Sequence, residues 1–289
     1  MKTKSILLAT AVVVFFVIFA ALVFLPAILS SDMLKPRILQ AVNQRLPGTL
    51  QVEHWRFKWF SGTEAKGIIY DDQKQSLFVE VAELKGYRGL FQLITNSRNL
   101  GGIEIIRPQV LIYLSDKRQA KASKKGETSQ AAGLPAVAGI LKITDGTIRT
   151  VNIDGNEKAV VKDLDLFLDV SDIKKPITYR VLLTAGDDIG RLAGEGTLTL
   201  SADNPLDLNA IQSDALLKIT NWELEDTLTI LASQGNYPYG KGRLNANLNV
   251  QGSSAEALNL KGNLSIGQLE LWGGPLKTDH PRFKDISTD

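Results

Sequence analysis

The chain has no cysteine and only two histidines, His54 and His280. The first absence excludes disulfides and thiolate metal sites and suits a compartment in which unpaired thiols are a liability. The second leaves no histidine at ligand spacing from a carboxylate, so neither a zinc site nor a histidine acid/base pair is expected. Net charge is nearly absent as well. Against 33 Lys and Arg stand 31 Asp and Glu, a balance of +2, and no global field marks the chain as a partner of nucleic acid. Phosphate loops are missing too. Gly194-Glu-Gly196 and the Gly235–Gly242 stretch lack the strand–loop–helix setting such loops need and read as kinks and turns. Asp163, Asp165 and Asp169 alternate along one strand; solvated carboxylates are the expected reading, ahead of a hard-cation site completed by Asp145 or Asp154. No cofactor, metal or catalytic set follows from these residues, and the chain is not read as an enzyme.

What is present begins with an apolar run. Lys2 and Lys4 precede an uncharged stretch whose core, Ile6–Leu25, is almost wholly Val, Leu, Ile, Phe and Ala. About 20 such residues span a bilayer core as a helix, whereas a cleaved signal carries an apolar region of only about 7–15. Pro26-Ala-Ile-Leu-Ser30 is a poor cleavage site, so residues 1–31 are expected to remain as a transmembrane anchor with the rest of the chain on the far side of the membrane. In residues 32–48, Leu34, Ile38, Leu39, Val42 and Leu46 form a helical stripe ended by Pro47-Gly48, predicting a short amphipathic linker helix.

Beyond it the pattern turns to period two. Residues 49–114 predict strands at Leu50–Phe57, Thr63–Tyr70, Leu77–Tyr87 and Ile103–Leu114, with Leu90–Ile94 as a brief apolar crossing. Pro108 marks the fourth strand as an edge or a bulge. Residues 115–133 carry charges among Ala, Ser and Gln without periodicity and read as a mobile loop. In residues 134–272 a hairpin is expected around Asp145-Gly146, the strongest short turn signal in the chain, followed by strands Val160–Val170, Ile177–Thr184, Arg191–Leu200 and Asp214–Ile219. Asn221 reads as the cap of a helix from Trp222 to Ala232, and residues 273–289 as a polar tail.

The clearest alternation lies between Arg243 and Trp272. Leu244, Ala246, Leu248 and Val250 alternate with Arg243, Asn245, Asn247 and Asn249; then Leu258, Leu260, Leu264 and Ile266 resume, with Gly262 in the place of a fifth apolar residue. Leu164, Leu166 and Leu168, and Leu198 with Leu200, repeat the arrangement upstream. These leucines, with Val250 and Ile266, are the candidate lining of one apolar surface. Trp55, Phe57 and Trp59 alternate with His54, Arg56 and Lys58 and set three rings on one side near the membrane end, read as core packing ahead of an anchor at headgroup level or the mouth of a lipid site.

A sheet with one apolar face gains about 1.5–3 kcal/mol for each large side chain it covers. It can close as a sandwich with a dry core, or curl around a foreign apolar chain; the few predicted helices favour the trough. The predicted fold is therefore mainly β, a long twisted antiparallel sheet curled into an open groove with few short helices and an N-terminal transmembrane helix. Its last strand, Gln268–Trp272, is apolar apart from Glu270 and reads as an open edge for another sheet.

The stretch Val250-Gln-Gly-Ser followed by Leu258-Asn-Leu-Lys-Gly-Asn-Leu-Ser-Ile266 resembles a repeat of the AsmA-like family of bacterial envelope proteins. Trp59-Phe-Ser-Gly-Thr-Glu-Ala-Lys-Gly-Ile-Ile-Tyr-Asp71, Ile103-Glu-Ile-Ile-Arg-Pro-Gln-Val-Leu-Ile112, and Leu141-Lys-Ile-Thr-Asp-Gly-Thr-Ile148 with Val161–Leu168 are similar to further family stretches, in the family's order. The resemblance implies an inner-membrane-anchored periplasmic protein with a curved β-groove that handles phospholipid; separately, the open apolar edge at Gln268–Trp272 is expected either to continue into more strands or to dock another β-sheet envelope protein or a second copy. An envelope scaffold built on a closed sandwich is the alternative expectation.

Overall fold

The computed structural model describes residues 25–72, 76–96, 99–114, 138–152, 155–170, 172, 175–185, 190–200, 211–225, 227–228, 237–253, 257–277 and 279–288. The expected anchor lies largely outside this set; residues 25–29 are helical, and no helix of the described residues is long and apolar enough to cross a membrane. The expected loop at 115–133 also lies outside it.

The described chain is mainly β and forms one sheet of twelve strands in sequence order, open at both edges. The linker helix Lys35–Asn43 precedes β1 (Thr49–Phe57), β2 (Thr63–Asp71) and β3 (Leu77–Gly86). The predicted apolar crossing is a short helix, Leu90–Thr95. Then follow β4 (Asn99–Leu114), β5 (Ala138–Asn152), β6 (Glu157–Val170), β7 (Ile177–Ala185), β8 (Gly190–Thr199), β9 (Gln212–Glu223), β10 (Tyr239–Ser253), β11 (Ala257–Trp272) and β12 (Arg282–Thr288). Strands form where alternation puts apolar side chains on one face and polar ones on the other, so that a single face profits from being covered.

Four expectations are corrected. The sheet is not antiparallel throughout: β4 and β5 pair in parallel, Ile103 opposite Leu141 and Ile112 opposite Thr150. The last residue of β4, Leu114, and the first of β5, Ala138, therefore lie at opposite ends of the paired strands. Second, Asp145-Gly146 is not a hairpin turn but lies in the middle of β5. Asp145 does adopt the left-handed conformation that the motif favours (φ 57°), yet both flanking halves continue along the same two neighbours, so it becomes a bulge. Third, the expected helix starts later than its predicted cap: Asn221 is a bulge residue of β9 (φ 49°), its N–H donating to Asn245 Oδ1 at 2.8 Å, Trp222 and Glu223 extend the strand, and helical residues begin only at Leu224 and include Glu225, Thr227 and Leu228. Fourth, the expected polar tail contains β12, which pairs with β11 after a turn at Gly273–Leu276, so Gln268–Trp272 is an interior segment and not the edge.

Pro108, expected to mark an edge or a bulge, is instead inside the sheet opposite Val81, where the pairing is interrupted without any shift of register. Arg107 takes φ 51°, and the β4–β5 pairing steps from Ile106–Thr144 to Gln109–Thr147 around it. Left-handed backbone costs an ordinary L-residue roughly 1–2 kcal/mol, partly offset for glycine by its larger unfolded-state entropy. Arg107→Gly should therefore stabilise the chain by about 0.5–1 kcal/mol, and Arg107→Val should destabilise it by about 1 kcal/mol or more, the β-branched side chain being least suited to positive φ. Urea unfolding midpoints of the three chains check both signs.

Arg107 belongs to a line. Gly67 in β2 (φ 58°), Arg107, Asp145 and Asp163 in β6 (φ 49°) occupy the same level of successive strands, with Ala82 of β3 between Gly67 and Arg107. At this line the alternation slips by one residue. Val79 and Val81 precede Leu84, Ile103 and Ile105 precede Pro108 and Val110, and Leu141 and Ile143 precede Gly146 and Ile148, each set on one face. Register shifts mark true bulges at Asp145 and Asp163, which bend a strand and increase its local twist; at Gly67 and Arg107 the left-handed residue interrupts the pairing without shifting it, and together they form a crease across half the sheet.

Candidate functional site: the apolar face

Register carries a single row of residues across eleven strands: Trp55, Ala65, Leu84, Ile105, Ile143, Leu166, Val181, Gly194, Leu217, Leu248 and Gly262, each directly opposite the next. None is polar at its surface except through the indole N–H of Trp55. At about 4.8 Å per strand, ten steps make the row roughly 48 Å long. A parallel row two residues along, from Phe57 through Leu141, Leu168 and Ala215 to Leu260, contains one threonine and one tyrosine and is otherwise apolar or glycine. Gly194 and Gly196, read from sequence as kinks, are in fact members of these rows inside β8, paired on both sides.

This face is not the interior of a closed body. Among the described residues the buried apolar side chains are, besides Pro26 and Pro108, only Val81, Leu90, Val151, Ile177, Ala215, Ala246 and Leu269, and no side chain is fully buried. Leu84, Ile105, Ile143, Leu166, Val181, Leu217 and Leu248 are all half-buried, shielded by their neighbours along the sheet. A packed sandwich would have sealed its inward residues at native density.

The candidate residues distribute as follows. Leu164, Leu166, Leu168, Leu198, Leu244, Leu248, Val250, Leu264 and Ile266 are half-buried on the apolar face. Leu258 is opposite Gly252 in register. Leu260 is opposite Val250 yet 58% exposed, and Leu200 falls one residue past the end of β8. Trp55 and Phe57 share the face, their ring centroids 5.7 Å apart, whereas Trp59 lies beyond the end of β1, so the trio is a pair. The Trp55 indole N–H is buried with no hydrogen-bond partner. Absent from the sequence-derived lining were Val181 of β7 and Leu217 of β9, and the β2–β5 members. The signal of the latter was present as apolar spacings of three, Val81 to Leu84 and Ile105 to Pro108, where the crease shifts the phase.

The opposite face is laced by charge. Lys66 reaches Glu64 at 2.9 Å and Glu83 at 3.6 Å, and Lys85 reaches Glu83 at 3.2 Å. Lys142 meets Glu104 at 2.8 Å, while the Tyr87 hydroxyl donates to the other Glu104 oxygen at 2.6 Å; Lys142 first, then Tyr87, hold that carboxyl below its usual range. Glu270 is gripped by Arg282 at 2.7 Å and Lys241 at 3.2 Å, which lower its pKa in that order and tie β12 to β11 and β10. Among the described residues these ladders concentrate the ion pairs on one face of the sheet. Asp165 accepts the Asp145 N–H, and Asp163 accepts the Thr184 hydroxyl; among the described residues no group of three or more potential metal ligands occurs. No protein-family model matches the chain, and no curated protein sequence matches it.

Proposed function

We propose that this chain is a non-enzymatic lipid-binding protein whose sheet curls into a groove and holds phospholipid acyl chains along its apolar face. In this reading residues 1–31 anchor it in a bacterial inner membrane, the sheet stands in the periplasm, and the protein supports lipid supply to the outer membrane. The carrying observation is the apolar row across eleven strands with no fully buried side chain. Each half-covered leucine or isoleucine retains part of the roughly 1.5–3 kcal/mol that full burial provides, and an acyl chain laid along the row supplies the missing cover. A row of roughly 48 Å accommodates more than one acyl chain end to end. The crease through Gly67, Arg107, Asp145 and Asp163 supports curvature of the sheet. The AsmA-like resemblance points the same way.

A photo-crosslinking residue at Leu248, half-buried on the apolar face, should capture phospholipid in membranes, whereas the same residue at Asn247, exposed on the other face, should not. Native mass spectrometry of the detergent-extracted chain should show co-purified phospholipid. Equal capture at both positions, or a lipid-free folded chain, would overturn the groove reading in favour of an envelope scaffold.

A further inference from the structure

The two edges of the sheet are treated differently. The outer side of β1 is occupied along its length by side chains of the preceding segment. Asn43 Nδ2 donates to the Leu50 carbonyl at 3.0 Å, Asn43 Oδ1 accepts the Leu50 N–H at 2.8 Å, Lys35 Nζ donates to the Glu53 carbonyl at 2.6 Å, and Ser30 Oγ accepts the Phe57 N–H at 2.9 Å. A strand arriving at β1 would have to displace all four. At the other end, among the described residues β12 is paired on one side only, with β11, and every one of its residues is exposed. Two of them are large and apolar, Phe283 at 44% and Ile286 at 37% exposure. Both extend the apolar face, Phe283 opposite Leu269 and Ile286 opposite Ile266.

We propose that β12 is a homodimerisation edge, at which two copies of this chain pair β12 to β12, antiparallel, centred between Lys284 and Asp285. The register is selected by complementarity. Centred there, Phe283 of one copy faces Ile286 of the other, Lys284 faces Asp285, and Arg282 faces Ser287, each pair twice by symmetry. Apolar thus meets apolar on the apolar face, and opposite charges meet. The neighbouring register centred on Asp285 would set two aspartates directly opposite and Lys284 against Ile286, both unfavourable for a cross-strand pair. The antiparallel pair has its two-fold axis normal to the sheet, so both apolar faces point the same way and the rows run on across the junction. Since β1 is blocked, head-to-tail growth of β12 onto β1 is disfavoured and the assembly closes at two copies. The inference holds whatever the apolar face binds.

The chain has no cysteine, which makes the test clean. Full-length Phe283→Cys and Ile286→Cys chains are co-expressed and oxidised in membranes, and the crosslinked dimer is compared with that of each chain alone. The mixture should yield at least five times more dimer than either alone. Lys284→Asp should weaken dimerisation of the extracted chain tenfold or more in sedimentation equilibrium, by placing like charges opposite at two positions, and the double variant Lys284→Asp/Asp285→Lys should restore it. Circular dichroism of each variant verifies the fold. A folded chain that stays monomeric at tens of micromolar and gives no mixed crosslink overturns the proposal, as does crosslinking that is equal in the mixture and in the single chains, or a Lys284→Asp defect that the double variant leaves unrepaired.

Discussion

Gly262→Val should lower the stability of the full chain by about 3–5 kcal/mol, a large part of the roughly 5–15 kcal/mol that holds a typical protein folded. Gly262 closes the longest apolar row, opposite Leu248, and adopts φ 138°, a backbone conformation that L side chains rarely reach. A Cβ there would stand 2.0 Å from the Asn247 carbonyl oxygen and 3.1 Å from the Leu248 Cα. These are backbone atoms of the paired strand and cannot rotate away, so β10 and β11 must separate. Strain at a forbidden φ accounts for roughly 1–3 kcal/mol and overpacking for a similar amount. Gly267, five residues further along β11, is the internal control: its added Cβ would meet only an Asp285 carboxylate oxygen, at 3.6 Å. Gly267→Ala should change stability by less than about 0.5 kcal/mol. Thermal or urea unfolding of both variants reads the contrast, and equal effects would show that the closeness of β10 to Gly262 is immaterial.

The second large effect concerns retention of the proposed ligand. Leu217→Asp should reduce co-purified phospholipid at least tenfold while lowering the melting temperature by only a few degrees. Leu217 stands between Gly194 and Leu248 at the middle of the β7–β11 half of the row and is half-buried. On an open face the new carboxylate reaches water, so the fold loses only part of a leucine's burial, but acyl chains then meet a charge that costs them several kcal/mol to desolvate. In a dry sandwich core the same substitution would strand the charge and unfold the protein. Asn247→Asp supplies the comparison, because it adds a carboxylate to the other face directly opposite Lys218 and should leave lipid retention unchanged. Outright unfolding of Leu217→Asp, or equal lipid loss in both variants, would count against an open lipid face.

Both expectations rest on a face that was legible in the amino-acid sequence only in part. In β6 and in the β10–β11 hairpin the period-two alternation is uninterrupted over enough residues to name the face residue by residue, and Leu164 to Leu168 and Leu244 to Val250 are placed accordingly. In β3, β4 and β5 the crease shifts the phase of the apolar pattern by one, so Val81 and Leu84 look out of step although each is covered more than the polar Glu80. Nothing local distinguishes a phase slip inside one strand from the junction of two.

Asp145-Gly146 makes the same point more sharply. Its chemistry determined a left-handed backbone, and Asp145 has one; whether that conformation reverses the chain or kinks it depends on where the flanking residues find partners. Ile140–Thr144 and Thr147–Asn152 both find β4 on one side and β6 on the other, so the strand runs on. Likewise the residues after Trp272 are polar enough to read as a tail, yet Arg282 reaches Glu270 and Ile286 meets Ile266, and the segment is captured as β12. By itself the sequence determined which residues are apolar, at what period, and therefore that a two-faced sheet must form, because a strand's side-chain direction is a property of neighbouring residues. Only the tertiary structure decided the parallel β4–β5 pair, the file of left-handed residues, the alignment of eleven strands into one row and the identity of the outer strand. Those follow from pairing between residues distant along the chain, where hydrogen-bond register and not local alternation chooses the partner.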